Sequence, residues 1–343
     1  MTVATQLEVL DLRHFSARQL RPLLEAEARV WERRLRWDYR SSTELLLQYL
    51  DSRILPGFVA LDRGKICGYT FCVYEGHKAV VGDAYAAVGD LEQSLHVTQT
   101  LLRRLLDLLV HSPNIDRVES QLLLYDADSI EESFLEAGFA RHTRLFMECD
   151  LENGQRIAGA SSNKPLLPQG IRLIPWSSNY YQAAAELIHA SYAGHIDAEI
   201  NDQYCSLHGS LRFLHNIVRF PGCGIFDANQ SWLLLDRETD SLAGMLLCSR
   251  VAPEVAHITQ LCVLPSARGR GLGRVLLDHA MMQLFNTGFA AITLTVTEAN
   301  RQAVELYAAS EFRVRYRFDA MVLDRNTSDS SASGLWSPLK MTR

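Results

Sequence analysis

One order of elements runs twice along this chain, and that repetition limits the folds open to it. The first block opens with a short strand pattern, Leu7 to Leu12, and the second with another, Ile171 to Ile174. Helical patterns follow in each: Leu20 to Trp37 and Thr43 to Leu50, then Tyr181 to Tyr192 and Leu211 to Val218. Apolar strand runs come next, Phe58 to Leu61 with Ile66 to Tyr74, and Trp232 to Leu235 with Leu242 to Val251. A long helix (Val97 to Val110; Leu272 to Phe285) and a further strand (Arg117 to Tyr125; Ala291 to Val296) lead in both to a short helix and a final pair of strands. The endings superimpose, with Phe134-Leu135-Glu136-Ala137-Gly138-Phe139 over Tyr307-Ala308-Ala309-Ser310-Glu311-Phe312. This is the mark of a duplicated domain rather than a short-period solenoid. Strands and helices that do not strictly alternate predict a mixed α/β (α+β) sheet, not a doubly wound parallel fold.

The 343 residues suit two domains of that kind. Residues 5–151 form the first. Residues 152–168 read as a linker, because Asn153 to Pro168 is rich in Gly, Ser, Ala and Asn and has no periodicity. Residues 169–324 form the second domain, and 325–343, with its Ser/Asp/Asn run, reads as a flexible tail.

Composition removes several functions. Lys and Arg total 34 against 40 Asp and Glu, a net charge of −6, which argues against a nucleic-acid partner. No apolar run reaches the length of a membrane span, and Glu8, Asp11 and Arg13 interrupt a start that lacks the core of a secretory signal. The seven cysteines are an odd number and mostly sit in apolar runs, so they read as free thiols in a cytoplasmic protein. Neither Cys-x-x-Cys nor His-Glu-x-x-His occurs, so no metal is expected.

The chemistry lies between His257 and Leu277. An apolar run ends at Pro265, a loop carries Arg268, Gly269, Arg270 and Gly271, and a helix then starts with Leu272, Gly273 and Arg274. Glycines let backbone N–H groups approach a ligand closely. A helix N-terminus adds free donors and the positive end of a dipole. Together they form an anion site suited to a diphosphate, with the three arginines able to add charge-assisted bonds. The dinucleotide fingerprint fails because Arg274 stands where the third glycine would be, and no P-loop is present.

The pattern that fits is [RQ]-x-x-G-x-[GA], as Arg268-x-x-Gly271-x-Gly273. Twenty-seven residues after Gly273 comes Asn300-x-x-Ala303-x-x-Leu306-Tyr307, followed by Glu311-Phe312. With these two motifs the whole second block resembles the GNAT superfamily of acyl-CoA-dependent N-acyltransferases. Glu311 departs from the family's usual glycine, at a helix end where a left-handed residue is expected.

The resemblance implies a mostly antiparallel sheet in each domain, with a central strand pair that splays to admit the pantetheine arm of acetyl-CoA. It implies that Leu261, Cys262 and Val263 line that arm, that the Arg268–Gly273 loop holds the diphosphate, that Asn300, Ala303 and Leu306 contact the arm, and that Tyr307 protonates the departing thiolate. The substrate is then a primary amine on a small molecule or peptide. His257 matches the position from which many family members take their general base, with Glu254 and a water chain as the alternatives. Strand alternation places it on one face with Thr259, Leu261 and Val263, and the N–H of Leu261 is a candidate oxyanion donor. Tyr192 to Tyr204, with its acids, aromatics and His195, stands where such enzymes build the acceptor pocket, and is either an amine-binding loop or a solvated acidic one. Arg315 and Arg317 either hold an acidic substrate group or lie on a polar sheet face.

The first block keeps the scaffold and loses the chemistry. Val88 to His96 replaces the phosphate loop, its Asp90 and Glu92 repel a diphosphate, and Phe134 stands at the place of Tyr307 without a proton to give. One acetyl-CoA per chain is therefore expected, with the first block packed against the active one and walling its cleft. Two rival readings remain. A non-catalytic acyl-CoA-binding regulator is disfavoured by retention of Asn300, Tyr307 and His257. A transferase using aminoacyl-tRNA is disfavoured by the intact loop and the acidic balance.

Overall fold

The computed structural model describes residues 7–152, 167–219, 222 and 224–325. The expected linker and tail fall almost wholly outside them. The first half comprises β1 (Leu7–Asp11), α1 (Ala17–Leu35), α2 (Arg40–Asp51), β2 (Gly57–Asp62), β3 (Lys65–Glu75), β4 (Lys78–Ala86), α3 (Leu91–Val110), β5 (Arg117–Gln121), α4 (Glu131–Glu136) and β6 (Ala140–Asp150). The second comprises β7 (Ile171–Pro175), α5 (Tyr181–Tyr192), α6 (Ile196–Ile200), α7 (Leu207–Arg219), β8 (Ile225–Phe226), β9 (Trp232–Asp236), β10 (Ser241–Ala252), β11 (Val255–Val263), α8 (Leu272–Asn286), β12 (Ala291–Thr297), α9 (Arg301–Ala308) and β13 (Arg313–Asp324).

Local sequence accounts for most of these boundaries. A capping box of Ser16 and Gln19 starts α1. Its Leu20, Leu23, Leu24, Trp31 and Leu35 are buried at helical spacing, and Arg36, at φ 59°, turns the chain out of the helix. The pattern does not single out β4, whose apolar run is broken by Gly82 and Asp83. No described helix is long and apolar enough to cross a membrane.

All the strands join one sheet in the order β1-β2-β3-β4-β5-β13-β6-β12-β11-β10-β9-β7, with β8 beside β10. Two neighbouring pairs are parallel. Lys78–Val81 of β4 lies beside Arg117–Ser120 of β5, and Val255–Ile258 of β11 beside Ala291–Leu294 of β12. Beyond those residues each pair parts, and a gap opens in each half.

The ending differs from the expected pair of strands. Each half closes with a single long strand, and the two are exchanged. β6 of the first half pairs with β12, and β13 of the second pairs with β5. β6 and β13 also pair with each other across the middle. Neither half alone would cover its inner edge, since β5 and β12 would present unpaired N–H and C=O groups. The junction is apolar as well, with Trp31, Leu35 and Trp37 packed on Phe146, Val255, Ala291 and Phe318.

Helices cover both faces. In the second half, α8 packs through Leu272, Leu276, Leu277, Ala280 and Leu284 on one face, and α5 and α7 cover the other through Ala184, Leu187, Ile188 and Leu214. The first half repeats this arrangement, with α3 on one side and α1 and α2 on the other.

Candidate active site

The glycine turn sits at the open end of the β11/β12 gap. Gly269 and Gly271 have φ of 76° and 74°, in the left-handed region. A Cβ at either would meet nothing within 4 Å, so backbone conformation, not crowding, is what calls for glycine. Gly273 is different: its φ is not left-handed, and a Cβ there would lie in ordinary contact, 3.5 Å from Leu306 Cδ2. Gly271 caps α8 and no side chain bonds the free helix end. The first intrahelical bond runs from Val275 N–H to Gly271 O (3.1 Å), so the N–H groups of Leu272, Gly273 and Arg274 precede it. An uncapped helix end behind two left-handed glycines fits the diphosphate of acetyl-CoA.

The arginines are less free than the motif implies. Arg268 donates through Nη2 to Ser191 O (2.7 Å) and through Nε to Val263 O (3.3 Å), bracing the turn against α5. Arg274 pairs with Asp278 at 2.8 Å. Arg270 reaches Gln169 O at 3.4 Å and stands outside the cavity lining. The arginines are thus engaged by neighbours, while the first N–H groups of α8 are left outside the helix's own bonding.

Next to the turn lies a cavity of about 340 Å³. It gathers Leu261, Cys262 and Val263 from β11, Arg268, Gly269, Gly271, Leu272, Gly273 and Arg274 from the turn, and Asn300, Ala303, Leu306 and Tyr307 from α9. Tyr307 is 7% exposed. Burial, reinforced by Asp197 and Cys262, pushes its phenol up, so the proton stays on. The buried Cys262 thiol is pushed up to about 12 and is inert at neutral pH. Asn300 caps α9, accepting from Ala303 N–H (3.3 Å), and its Nδ2 lies 3.3 Å from His195 Nε2.

The far wall comes from the segment after α5. His195 and Tyr192 line the same cavity. His195 Nδ1 is 3.1 Å from the N–H of Asp197 and 3.4 Å from its Oδ2. Asp197 also accepts a hydrogen bond from Thr297 Oγ1 on β12. Tyr192 stacks on Tyr204, ring centroids 4.1 Å apart, and donates to Gln260 Oε1 (2.7 Å).

The structure corrects two expectations. His257 does not reach the cavity. It is buried, its Nδ1 is 2.9 Å from Thr293 Oγ1, and it packs beside the rings of Trp37 and Phe146, centroids 4.8 and 6.3 Å away. The cause is a β-bulge. Leu247 pairs with Gln260 but Cys248 with Ile258, so Thr259 is the extra residue. One extra residue reverses the alternation, which puts Ile258 with Leu261 and Val263 and sends His257 to the opposite face. Burial then lowers the imidazole to about 3, helped by Arg144. The polar pair Thr259-Gln260 inside an apolar strand was the available signal.

The second correction concerns Leu261, whose N–H already donates to Gln260 Oε1 (3.1 Å) and is not a free oxyanion donor. Of the two arginines beyond α9, Arg317 pairs with Glu298 at 3.1 Å on the surface. Glu311 does adopt the left-handed conformation, at φ 67°.

Comparison with known proteins agrees with this fold. Residues 196–312 match the Acetyltransferase (GNAT) family. The chain is 39% identical over 74 residues to the mycothiol acetyltransferase of Thermomonospora curvata, covering 21% of this chain and 25% of that protein. It is 30% identical over 86 residues to the peptidyl-lysine N-acetyltransferase YjaB of Salmonella typhimurium, covering 25% of this chain and 52% of that one. It thus spans from a quarter to about half the length of these curated relatives. The solved structure of a tandem GNAT protein from the clavulanic acid biosynthesis pathway superimposes with a TM-score of 0.60 at 13% identity, over 93% of this chain and 99% of that one. The chain therefore has the fold of a tandem GNAT protein, and its residues 196–312 match the model of the acetyltransferase (GNAT) family.

Proposed function

We propose that the second half moves an acetyl group from acetyl-CoA directly to a primary amine of a small molecule or peptide. The observation that carries this reading is a convergence. An uncapped helix end behind two left-handed glycines and a phenol held protonated by burial border one cavity, and His195, backed by Asp197, completes it. The names of both curated relatives are those of acetyltransferases, and one specifies peptidyl-lysine, an amine.

Acetyl-CoA, when bound, supplies the thioester and a thiol leaving group. The N–H groups of the turn and of α8 hold its diphosphate, and the splayed edge of β11 at Leu261 and Val263 orients the arm. An amine is mostly protonated at neutral pH, so attack needs a base. His195 takes that role in place of the buried His257, in the tautomer whose Nδ1–H faces Asp197 Oδ2 (3.4 Å) and whose Nε2 keeps the lone pair. Tyr307 keeps its proton for the sulfur.

The test is release of free thiol from acetyl-CoA against a panel of polyamines, amino acids, aminosugars and lysine peptides. At least one amine should raise release well above the rate with acetyl-CoA alone. With that amine, His195→Ala should lower kcat by about a hundredfold. If no amine stimulates release, the chain is an acyl-CoA-binding regulator instead.

A further inference from the structure

We propose that the first half serves the second as a clamp on its acceptor segment, with Lys78 as the positioning residue. The inference rests on the transfer reading for its kinetic consequence but not for its structural one.

The segment at issue is α6 and the turn after it, Asp197 to Gln203. A helix of five residues does not hold itself. Within α6 only Ile200 is fully buried. Polar bonds on two sides fix the segment instead. Toward the cavity, Asp197 receives Thr297 and flanks His195.

Toward the first half, Lys78 Nζ donates to Asp202 Oδ1 (2.5 Å) and to Glu119 Oε2 (3.1 Å), with Glu75 Oε2 at 3.4 Å. Glu119 Oε1 accepts from the N–H of Asp202 (2.9 Å). Arg117, itself bonded to Glu119, donates to Glu199 O, and Gln203 Nε2 donates to Glu75 (3.3 Å). Both faces of one short segment are thus tied, one to the reacting end and one to the strand ends of the half that has lost the chemistry.

Lys78 is 4% exposed, and it is the cation that three carboxylates from two halves share. Glu119 also pairs with Arg117 (2.6 Å) and Glu75 with Arg212 (3.4 Å), so among the described ion pairs Asp202 is the carboxylate whose charge Lys78 alone meets. Asp202 is the one at 33% side-chain exposure on a short turn, so it is the one free to leave. Its departure would carry Asp197 and His195 with it. The diphosphate turn, on the other side of the gap, has no part in this network.

Lys78→Met and the milder Asp202→Asn in the full chain provide the test. Hydrogen exchange in peptides covering 195–204 should quicken at least tenfold, with α8 unchanged. Acetyl-CoA affinity by calorimetry should stay within about twofold. With the amine found in the panel, KM for the amine should rise and kcat fall, while KM for acetyl-CoA stays put, and Lys78→Arg should recover most of the loss. If Lys78→Met fails to fold, Asp202→Asn gives the same readings at smaller size. Unchanged exchange at 195–204 in Asp202→Asn and in any folded Lys78→Met, or a parallel fall in acetyl-CoA affinity, overturns the clamp. Quickened exchange with no amine turned over leaves the clamp standing and removes the transfer reading.

Discussion

The two halves open the same gap between a parallel pair of strands, yet their helix ends differ in what they offer. In the second half, α8 begins at a left-handed glycine with its donors free. In the first, Asp90 caps α3 and its carboxylate accepts from Gln93 N–H (2.9 Å). The first gap still leads to a cavity, about 640 Å³, bordered by Gly89, Asp90 and Tyr125. Tyr125 spans the gap with a hydroxyl that donates to Ala84 O (2.9 Å) and lies 3.2 Å from Thr98 Oγ1. Phe134, buried against Phe139, holds the place that Tyr307 holds against Phe312. The two gaps differ in electrostatics and not in the presence of space: one helix end is open and the other is capped by a carboxylate. An anion site is made by donors left unpaired, and one carboxylate cap is enough to end it.

The largest expected effect that tests this contrast is Gly271→Glu. A side chain at φ 74° is strained, and a carboxylate at the turn repels phosphate. Acetyl-CoA affinity should fall at least about a hundredfold, near 3 kcal/mol, by calorimetry. Asp90→Glu in the first half should leave it unchanged and show that binding lives in one gap. Two equivalent sites in the wild-type titration would break the contrast.

Tyr307→Phe comes next. It should lower kcat roughly tenfold to a hundredfold without changing acetyl-CoA affinity, whereas Phe134→Tyr should add no activity. A full rate in Tyr307→Phe removes the phenol from the chemistry.

Stability against pH tests the burial of His257. His257 takes a proton near 6.5 when unfolded but only near 3 when folded. Between those values the unfolded chain holds the extra proton, so stability rises with pH across that window and is level above it. At pH 5 the loss relative to pH 7 should be about 2 kcal/mol from this group. Urea melts at both pH values should show His257→Gln losing less on acidification than the wild type. An equal loss would mean that His257 is not buried neutral.

The smallest effect concerns the two helix ends that align in sequence. Gly138 and Glu311 both have positive φ, 85° and 67°. Glu311→Gly should raise stability by about 1 kcal/mol, and Gly138→Ala should lower it by a similar amount. A destabilised Glu311→Gly would show that the side chain makes contacts worth more than its strain.

Residue pattern alone carried the duplication, most helices and strands, the glycine turn, the left-handed Glu311, and the place of Tyr307 beside it. These follow from local rules: apolar spacing, the dihedral freedom of glycine, and the free donors of a helix end. Three features needed the folded chain. The bulge at Thr259 reverses the face on which His257 sits, because alternation is counted along pairing partners and not along sequence. The exchange of β6 and β13 depends on which free edges meet. The contact of Lys78 with Asp202 joins residues 124 apart, and a charge far along the chain finds its partner only once both halves have packed.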